Sequence, residues 1–581
     1  MKSLDDSRRP ARFGAFELDF SAGELRKGST KLRLHGQPLQ LLTLLVESAG
    51  RIVTREELRR ALWPGDTFVD FDNGLNTAIN KIREALCDSA EKPRYIETLP
   101  RRGYRFFAAI ETVRQSMSSL AVLPLENLSK DPEQEYFADG LTEALISNLA
   151  KISALRVISR TTAMHYKGVH RPIPEIAKEL AVDAIVEGTV QRSGDRVCIS
   201  AQLIQASTDA HVWAETYERD LRDVLSLQAE MAHTIATEIR VKLTPQEELR
   251  FARAHKVNPE AYEAYLKGRF YWNKRTLDGF TKASQYFQQA IDKDPSYAAA
   301  YAGLADTASR LGWWGFVPPK EGCAKAKAAA KKALELDESL ADGHAAHGFA
   351  ILYYDYAART AEKHCRRSTE LDPANPIAAQ SLACCLTALG RHDESLAEIT
   401  RAVQLDPLST ALHWTAGILM FQARQYRRCI EQSRKGLELD PSFPALHWNI
   451  GLALVWQGNH PEGLKELEFA SQAAGRAPYF LGTLGAGYAI AGKTEDALKV
   501  VTELSSKPLT SYWIGMIHAS LGDTDSAMPC LERAYWERIP WLPYTAVAPW
   551  FDPLRSDPRF QDLLARMDLA GIPLPGVDSI K

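Results

Sequence analysis

The hexapeptide Ala402-Val403-Gln404-Leu405-Asp406-Pro407 belongs to a pattern that recurs through the C-terminal half of the chain. Asp-Pro pairs repeat at a spacing of 34 residues, at positions 372–373, 406–407 and 440–441. Earlier equivalent places, across one longer interval, hold Asp294-Pro295 and Asp337-Glu338. Proline cannot continue the hydrogen-bond ladder of a helix, so each Asp-Pro pair predicts the end of a helix. The C-terminal half is therefore predicted to be a series of helical repeats.

A period of 34 residues, with a helix, a turn, a second helix and a closing proline, is the tetratricopeptide signature. Small and large packing residues keep this period most clearly over 374–475. The pattern predicts an all-α superhelix over 256–570, with about eight repeats. Residues 313–320 lengthen one repeat, and the tail from Phe551 to Met567 is predicted to be a capping helix.

The first helix of each repeat supplies the side chains that line the concave groove of such a superhelix. Closing one repeat at Pro441 assigns six groove positions over two repeats: Trp414, Ile418, Phe421, Trp448, Leu452 and Val455. Since Lys, Arg and Asn are absent there, we expect an apolar or aromatic-bearing peptide or helix, or another domain of the same chain. The alternative is a superhelix that closes on itself and buries these side chains.

The overall composition is that of a soluble globular protein. The chain has 581 residues, of which 45% are apolar and 25% charged, with 70 basic and 73 acidic side chains. These values exclude a mostly disordered chain, a collagen and a bare coiled coil. Roughly 100–200 residues per domain predict about three to five domains.

The compartment is predicted from the cysteines and from the apolar segments. The 8 cysteines lack CxxC or other metal-ligand spacings, which favours a reducing, cytoplasmic compartment without a bound metal. The N-terminus is polar, so no secretory signal is expected. The longest apolar stretch, near Ala445 to Trp456, is shorter than the about 20 residues of a spanning helix, so no membrane partner is expected.

Residues 1–110 alternate short strand patterns with three helical segments. Thr54-Arg55-Glu56-Glu57 is a capping box that opens the second helix. In the third helix, from about Asn73, the apolar residues form one narrow stripe: Leu75, Ile79, Ile82 and Leu86. The other face carries side chains that can hydrogen-bond to base edges and phosphates: Asn76, Thr77, Asn80 and Lys81, flanked by Arg83. This pattern favours DNA reading over a plain solvated helix.

A basic hairpin is predicted over Tyr95 to Phe106. Arg101 and Arg102 stand at its turn and Arg105 on its second strand. Arginines at a hairpin tip suit the narrow, electronegative minor groove of DNA. The alternative is a solvated basic turn. Residues 1–110 hold 19 basic and 15 acidic side chains, so the slight acidity of the whole chain lies elsewhere.

Residues 12–107 resemble the OmpR-type winged helix-turn-helix domain. The resemblance rests on Gly50 to Leu58, Ala61-Leu62-Trp63, Ile79 to Leu86 and Gly103-Tyr104-Arg105-Phe106. It implies that helix 73–87 enters the major groove of double-stranded DNA and hairpin 98–105 the minor groove. It also implies that loop 64–71, with Asp66, Thr67 and Phe68, contacts RNA polymerase. The order of domains is similar to that of CadC- and HilA-like regulators.

Residues 118–245 show a β-α-β-α-β-β-β order, which predicts an α/β sandwich. They resemble the TolB N-terminal-like (FlgO-like) domain through Phe137 to Leu141, Val186-Glu187-Gly188 and Trp213-Ala214-Glu215. Asp139, Glu187 and Glu215 form a candidate ligand set, although such residues more often cap helices or pair on a sheet.

The sequence lacks the motifs of common enzyme classes. It contains no P-loop, HExxH, nucleophile elbow or strand-linked GxGxxG, and nothing assembles a nucleophile with a base. Cyclases that share the middle domain carry a separate catalytic domain, which is absent here. We therefore predict a DNA-binding transcriptional regulator without catalytic residues or cofactors, whose repeats bind a protein or peptide. The alternative is a tetratricopeptide scaffold whose winged helix is an interaction module.

Overall fold

The computed structural model describes residues 11–20, 22–28, 30–62, 71–112, 117–129, 131, 134–252 and 257–572. The chain divides into two compact units, Met1–Ser116 and Met117–Lys581. Each unit has a core of its own. The predicted fold class is confirmed: a winged helix, a sheet-containing middle region and a long array of helical hairpins follow one another.

The N-terminal unit combines two antiparallel sheets with three helices. Its elements are β1 (Ala11–Phe13), β2 (Phe16–Asp19), β3 (Glu24–Lys27), β4 (Thr30–Lys31), α1 (Gln37–Glu47), β5 (Ile52–Thr54), α2 (Arg55–Leu62), α3 (Phe71–Leu86), β6 (Ile96–Leu99), β7 (Gly103–Phe106) and β8 (Glu111–Thr112). One sheet has the order β4-β3-β2-β1-β8, and the other the order β5-β7-β6. The apolar faces of α1 and α3 pack against strand residues in a single core.

The predicted capping box at the start of α2 is present. The Glu57 carboxylate accepts hydrogen bonds from the backbone N–H of Thr54 (2.7 Å) and from its hydroxyl (3.0 Å). The Thr54 hydroxyl in turn accepts from the Glu57 N–H at 3.2 Å. The Thr54 N–H and the Arg51 guanidinium lower the pKa of Glu57 to about 2. The box therefore satisfies backbone donors that the first turn of a helix leaves free.

The second unit begins with an α/β layer. Its elements are β9 (Ser119–Val122), β10 (Glu126–Asn127), α4 (Glu135–Ala150), β11 (Arg156–Val157), α5 (Arg160–Met164), α6 (Ile173–Leu180), β12 (Ala184–Ser193), β13 (Arg196–Gln205), β14 (Ala210–Asp220), α7 (Val224–Glu238) and α8 (Pro245–Ala252). The sheet order is β11-β9-β12-β13-β14, with β10 beside β12. Strand β9 is parallel to β11 and β12, while β12, β13 and β14 form an antiparallel meander.

Sixteen α-helices pair into eight hairpins in the part of the repeat region that the structure describes. They are α9 (Pro259–Trp272), α10 (Leu277–Lys293), α11 (Ala298–Trp313), α12 (Pro319–Leu336), α13 (Ala341–Ala350), α14 (Ala358–Leu371), α15 (Pro376–Ala388), α16 (His392–Leu405), α17 (Thr410–Gln422), α18 (Tyr426–Leu439), α19 (Pro444–Trp456), α20 (His460–Ala473), α21 (Pro478–Ile490), α22 (Thr494–Ser505), α23 (Ser511–Ser520) and α24 (Thr524–Glu537). Helices α14, α16 and α18 each end at the residue directly before an Asp-Pro pair of the 34-residue spacing. Short 3-10 turns at Leu542–Tyr544 and Pro549–Leu554 precede α25 (Pro558–Arg566).

The α/β layer packs directly on the repeats within this unit. Helix α4 contacts α9, where a Cβ added at Gly140 would lie 2.7 Å from Leu266. The Ser159 N–H donates to the carbonyl of Leu405 at 3.1 Å, and the Thr162 hydroxyl donates to Asp406 at 2.6 Å. These contacts join the α/β layer to both the first and the fourth hairpin.

Candidate DNA-binding surface and repeat groove

Helix α3 presents a polar face to solvent, as the sequence predicts. Four of the five helix residues assigned to DNA reading are exposed: Asn76, Thr77, Asn80 and Lys81. The opposite face lies in the core through Leu75, Ala78, Ile79, Ile82 and Leu86. Helical spacing of the apolar residues therefore fixes which side chains α3 offers to a ligand.

Arg83 requires a correction. The side chain is only 8% exposed, and its guanidinium donates to the carbonyl of Ile96 (3.1 Å) and to the Thr98 hydroxyl (2.8 Å). A buried guanidinium held by strand β6 has no access to a DNA groove. The prediction of Arg83 as a groove contact is therefore wrong, and the residue instead fastens α3 to the hairpin.

Asn76 is held by two neighbouring side chains. Its Oδ1 accepts from the Tyr104 hydroxyl at 3.1 Å and from Arg55 at 3.4 Å. Arg55 also pairs with Asp72 and lies 5.8 Å from the centroid of the Tyr104 ring. The sequence analysis did not single out Arg55, although its place after the capping-box threonine puts a cation at the start of α2. Arg55 thus joins the polar surface that α2, α3 and β7 form together.

The hairpin of β6 and β7 presents two arginines at its turn. Arg101 and Arg102 are exposed, and Arg101 has a φ of 62°. Gly103 follows with a φ of 153°, and a Cβ there would overlap the carbonyl oxygen of Val53 on β5. Glycine is therefore required where the hairpin returns to the sheet.

Arg105 differs from the two arginines of the turn. Its Nε donates to the Glu97 carboxylate on the facing strand at 2.9 Å. Both side chains are between one third and two fifths exposed. Such a cross-strand pair offsets the charge of Arg105, so Arg101 and Arg102 dominate the positive charge of the hairpin tip.

Asp88 fixes the segment that leads from α3 into the hairpin. Its carboxylate accepts from the backbone N–H groups of Arg94 (2.6 Å) and Ile96 (3.0 Å). Burial opposes its ionisation, but these backbone donors outweigh that effect and lower the pKa of Asp88. These bonds hold the start of the hairpin at the end of α3. The predicted polymerase-contact residues Asp66, Thr67 and Phe68 lie outside the described residues.

The predicted repeat groove is largely covered by the chain itself. Five of its six residues are at most 6% exposed: Ile418, Phe421, Trp448, Leu452 and Val455. Only Trp414 is half-buried. The expectation of an open apolar groove at these residues is corrected accordingly, and the alternative of a superhelix that closes on itself describes the structure.

Residues 541–554, here named the C-terminal plug, cover these positions. The Trp541 ring lies 6.0 Å from Trp448, and the Trp550 ring stacks 5.7 Å from Phe421. The Trp448 indole N–H donates to the Thr483 hydroxyl at 2.6 Å, so its polar atom is satisfied inside the core. The aromatic groove and the aromatic plug thus bury each other.

The candidate carboxylates of the α/β layer do not act as one group. Asp139 bonds to Lys167, Glu187 accepts from Gln202 at 2.5 Å, and Glu215 accepts from the Tyr217 hydroxyl at 2.8 Å. Each therefore has a local partner, which is the structural role that the sequence analysis favoured. Within the described ranges, no group of three or more His, Cys, Asp and Glu is arranged to hold a metal ion.

Three segments of the chain match protein-family models. Residues 29–106 match the family described as "Transcriptional regulatory protein, C terminal". Residues 115–234 match "HilA/YgeH-like transcriptional regulator, second domain", and residues 510–535 match "Tetratricopeptide repeat". The chain thus has the domain composition of a transcriptional regulator: an OmpR-type winged helix, a HilA-like second domain and C-terminal tetratricopeptide repeats.

Similar proteins include regulators and a protein with an enzyme name. The chain is 39% identical over 228 residues to "Putative adenylate cyclase 3" of Rhizobium meliloti (strain 1021), covering 39% of each chain. It is 22% identical over 398 residues to "Transcriptional regulator HilA" of Salmonella typhi, covering 67% of this chain and 69% of that protein. The match to the Rhizobium protein leaves most of that relative's length uncovered.

Among solved structures, the tetratricopeptide protein YrrB matches 33% of this chain and 93% of its own, at 21% identity and a TM-score of 0.25. In the part of the chain that the structure describes, no helix combines the length and apolar composition needed to cross a membrane.

Proposed function

We propose that the chain regulates transcription by reading double-stranded DNA through α3 and the β6–β7 hairpin. The observation that carries this proposal is the exposed set Asn76, Thr77, Asn80 and Lys81 on a helix whose other face is core. The exposed Arg101 and Arg102 at the hairpin tip add the positive charge that a phosphate backbone or a minor groove attracts. A protein that acts on the chromosome in this way works in the cytoplasm of a bacterium.

Base contacts and phosphate contacts respond differently to mutation. Asn80→Ala should relax sequence preference, with a loss of about 1–3 kcal/mol for each base contact removed. Arg102→Ala should weaken specific and non-specific binding alike and make the salt dependence shallower by about one unit of slope. Operators would first be selected from random duplexes with the full chain, and gel shifts over a salt series would then measure both variants.

The matched control is Lys27→Ala, which removes an exposed cation from the N-terminal sheet. It should leave affinity, specificity and salt slope as in the parent. If Asn80→Ala and Arg102→Ala also bind like the parent, α3 and the hairpin are not the DNA-binding surface. Binding that does not depend on salt would favour the scaffold function, with the winged helix as an interaction module.

Activation is proposed to require RNA polymerase at loop 64–71. The proposal rests on the family resemblance and on the charge of Asp66, the hydroxyl of Thr67 and the aromatic ring of Phe68. Asp66→Ala should lower transcript levels from a bound operator without changing DNA affinity. Equal transcript levels from variant and parent at equal operator occupancy would show that the loop is only a connector.

We assign the chain no catalytic reaction, because the families that match residues 29–106 and 115–234 are those of transcriptional regulators. The repeats are proposed to bind a protein partner, as the repeat family supports. Since the C-terminal plug covers the apolar groove, that partner would use other surfaces of the array.

A further inference from the structure

A cavity of about 750 Å³ lies where the α/β layer meets the repeats. Its wall includes Arg160 and Met164 of α5, residues of hairpins one to five, and Trp541 and Tyr544 of the C-terminal plug. Sites for small organic ligands enclose roughly 300–1,000 Å³. The cavity therefore has the size of a small-molecule site, and its wall comes from two parts of the same unit.

One side of the cavity is aromatic. The Trp313 ring lies 6.3 Å from Trp414, 6.4 Å from Tyr353 and 6.0 Å from Trp541. The Tyr353 and Tyr544 hydroxyls are 2.7 Å apart and satisfy each other. This side thus offers ring faces and edges, which favour an aromatic body in a ligand.

Several buried polar atoms of the wall have no partner in the described part of the chain. Gln422 is 1% exposed, and neither its Nε2 nor its Oε1 makes a hydrogen bond. The indole N–H groups of Trp313 and Trp414 are also unsatisfied. Buried polar groups without a partner are costly, and all three residues line this cavity, which favours a ligand with polar atoms.

Three arginines line the cavity, and two of them form ion pairs. Arg310 pairs with Asp306 at 3.3 Å and Arg160 with Glu143 at 3.1 Å. Arg275 packs 3.9 Å from the centroid of the Trp272 ring and has no ion pair among the described residues. Arg275 is exposed and lines the cavity.

The carboxylates of the wall are already engaged. Asp406 accepts from the Thr162 hydroxyl at 2.6 Å, and Asp440 accepts from the Ser442 N–H at 3.0 Å and from its hydroxyl at 2.8 Å. Neither carboxylate forms an ion pair with Arg275, which is the one arginine without an ion pair among the described wall residues. A guanidinium presents a planar fork of donors that matches a carboxylate.

We propose that this cavity binds a small organic carboxylate with an aromatic body. Arg275 holds the carboxylate, Gln422 and the indole N–H groups supply hydrogen bonds, and the Trp313 side encloses the ring. Because α5 and the repeats both line the cavity, an occupied site favours their docked arrangement. The site is separate from the proposed DNA-binding surface and does not depend on it.

Calorimetric titration of the full chain without DNA tests the proposal, with 2-naphthoate as the probe and its neutral amide, 2-naphthamide, as the comparison. The parent should bind 2-naphthoate at one site and prefer it over the amide by about tenfold or more, equal to about 1.4 kcal/mol. Arg275→Gln should abolish this preference while leaving amide binding unchanged. Arg427→Gln, which alters an exposed arginine of α18 outside the cavity, should behave like the parent.

Gln422→Met provides a second variant that does not rely on charge. It removes an unsatisfied amide, so the thermal stability of the free chain should hold or rise while affinity for 2-naphthoate falls. Equal affinity for the carboxylate and the amide overturns the proposal, as does unchanged carboxylate preference in Arg275→Gln. The proposal is also overturned if the parent shows no saturable binding up to roughly 5 mM probe. Only a very weak association would be missed at that concentration.

Discussion

Arg83 connects the helix proposed to read DNA with the hairpin proposed to contact the adjacent groove. Replacing it by alanine leaves the Ile96 carbonyl and the Thr98 hydroxyl without their donor. A buried acceptor that loses its partner costs about 1–3 kcal/mol. We expect Arg83→Ala to raise the hydrogen exchange of the β6 amides in the full chain, measured by mass spectrometry.

Lys81→Ala on the same helix is the matched control, since Lys81 is exposed. It should leave exchange in β6 unchanged and weaken only DNA binding. If hydrogen exchange of the β6 amides is unchanged in Arg83→Ala, Arg83 does not hold α3 against the hairpin.

At the residue scale, the sequence predicts on which face of a helix a side chain lies. It does not predict which residues of a neighbouring element contact that side chain. The sequence predicts the buried stripe of Leu75, Ile79 and Ile82, because the spacing of residues along a helix is a local property. Arg83 lies beside that stripe, and only the packing of β6 decides that its guanidinium is buried. Arg105 is similar, because its partner Glu97 comes from the facing strand.

Trp414 and Trp448 occupy equivalent positions of adjacent hairpins but differ in burial. Trp448 is fully buried and hydrogen-bonded to Thr483, whereas Trp414 is half-buried and lines the cavity. Replacing a fully buried tryptophan by alanine costs about 3–5 kcal/mol. We expect Trp448→Ala to lower the melting temperature markedly and Trp414→Ala to lower it much less.

Thermal unfolding followed by circular dichroism compares the two variants directly, and each serves as the control for the other. Equal losses would mean that the C-terminal plug does not bury Trp448 more deeply than Trp414. If Trp448→Ala loses a binding partner while its melting temperature stays unchanged, the result would support the hypothesis of an open apolar groove.

At the element scale, the 34-residue period predicts the helical hairpins because each repeat carries its own packing residues. The path of residues 541–554 does not follow from that period. Four aromatic residues of that segment, Trp541, Tyr544, Trp550 and Phe551, are the signal in the sequence for a buried segment. Which surface they cover is a long-range property that local patterns do not encode.

At the scale of the whole molecule, ion pairs link the α/β layer to the first hairpin of the repeats. Glu143 of α4 accepts from Arg269 of α9 at 2.7 Å, with Arg160 beside it. Glu263 of α9 accepts from Arg192 of β12 at 3.0 Å and from the Tyr136 hydroxyl at 2.8 Å. Because these contacts cross the junction, we expect the α/β layer and the repeats to unfold together.

The same carboxylates make this junction sensitive to acid. Burial opposes the ionisation of Glu143, but Arg269 and Arg160 outweigh it and lower its pKa. For Glu263, burial is likewise outweighed by Lys267, Tyr136 and Arg192, and its pKa falls to about 2. A carboxyl with a lowered pKa contributes stability that is fully present above the unfolded value of about 4.3. That contribution is lost as the pH falls through the lower folded value.

We therefore expect the melting temperature of the second unit to fall more steeply below about pH 4.3 in the parent than in Glu143→Gln. At neutral pH the variant should be less stable by about 1.5–3 kcal/mol, because the half-buried Arg269 loses a charged hydrogen-bond partner. Glu431→Gln removes an exposed partner of Arg427 and should cost only about 0.3–0.5 kcal/mol. Scanning calorimetry over a pH series measures all three proteins. If the melting temperatures of Glu143→Gln and the parent depend on pH in the same way, the Glu143–Arg269 pair does not hold the α/β layer on the repeats.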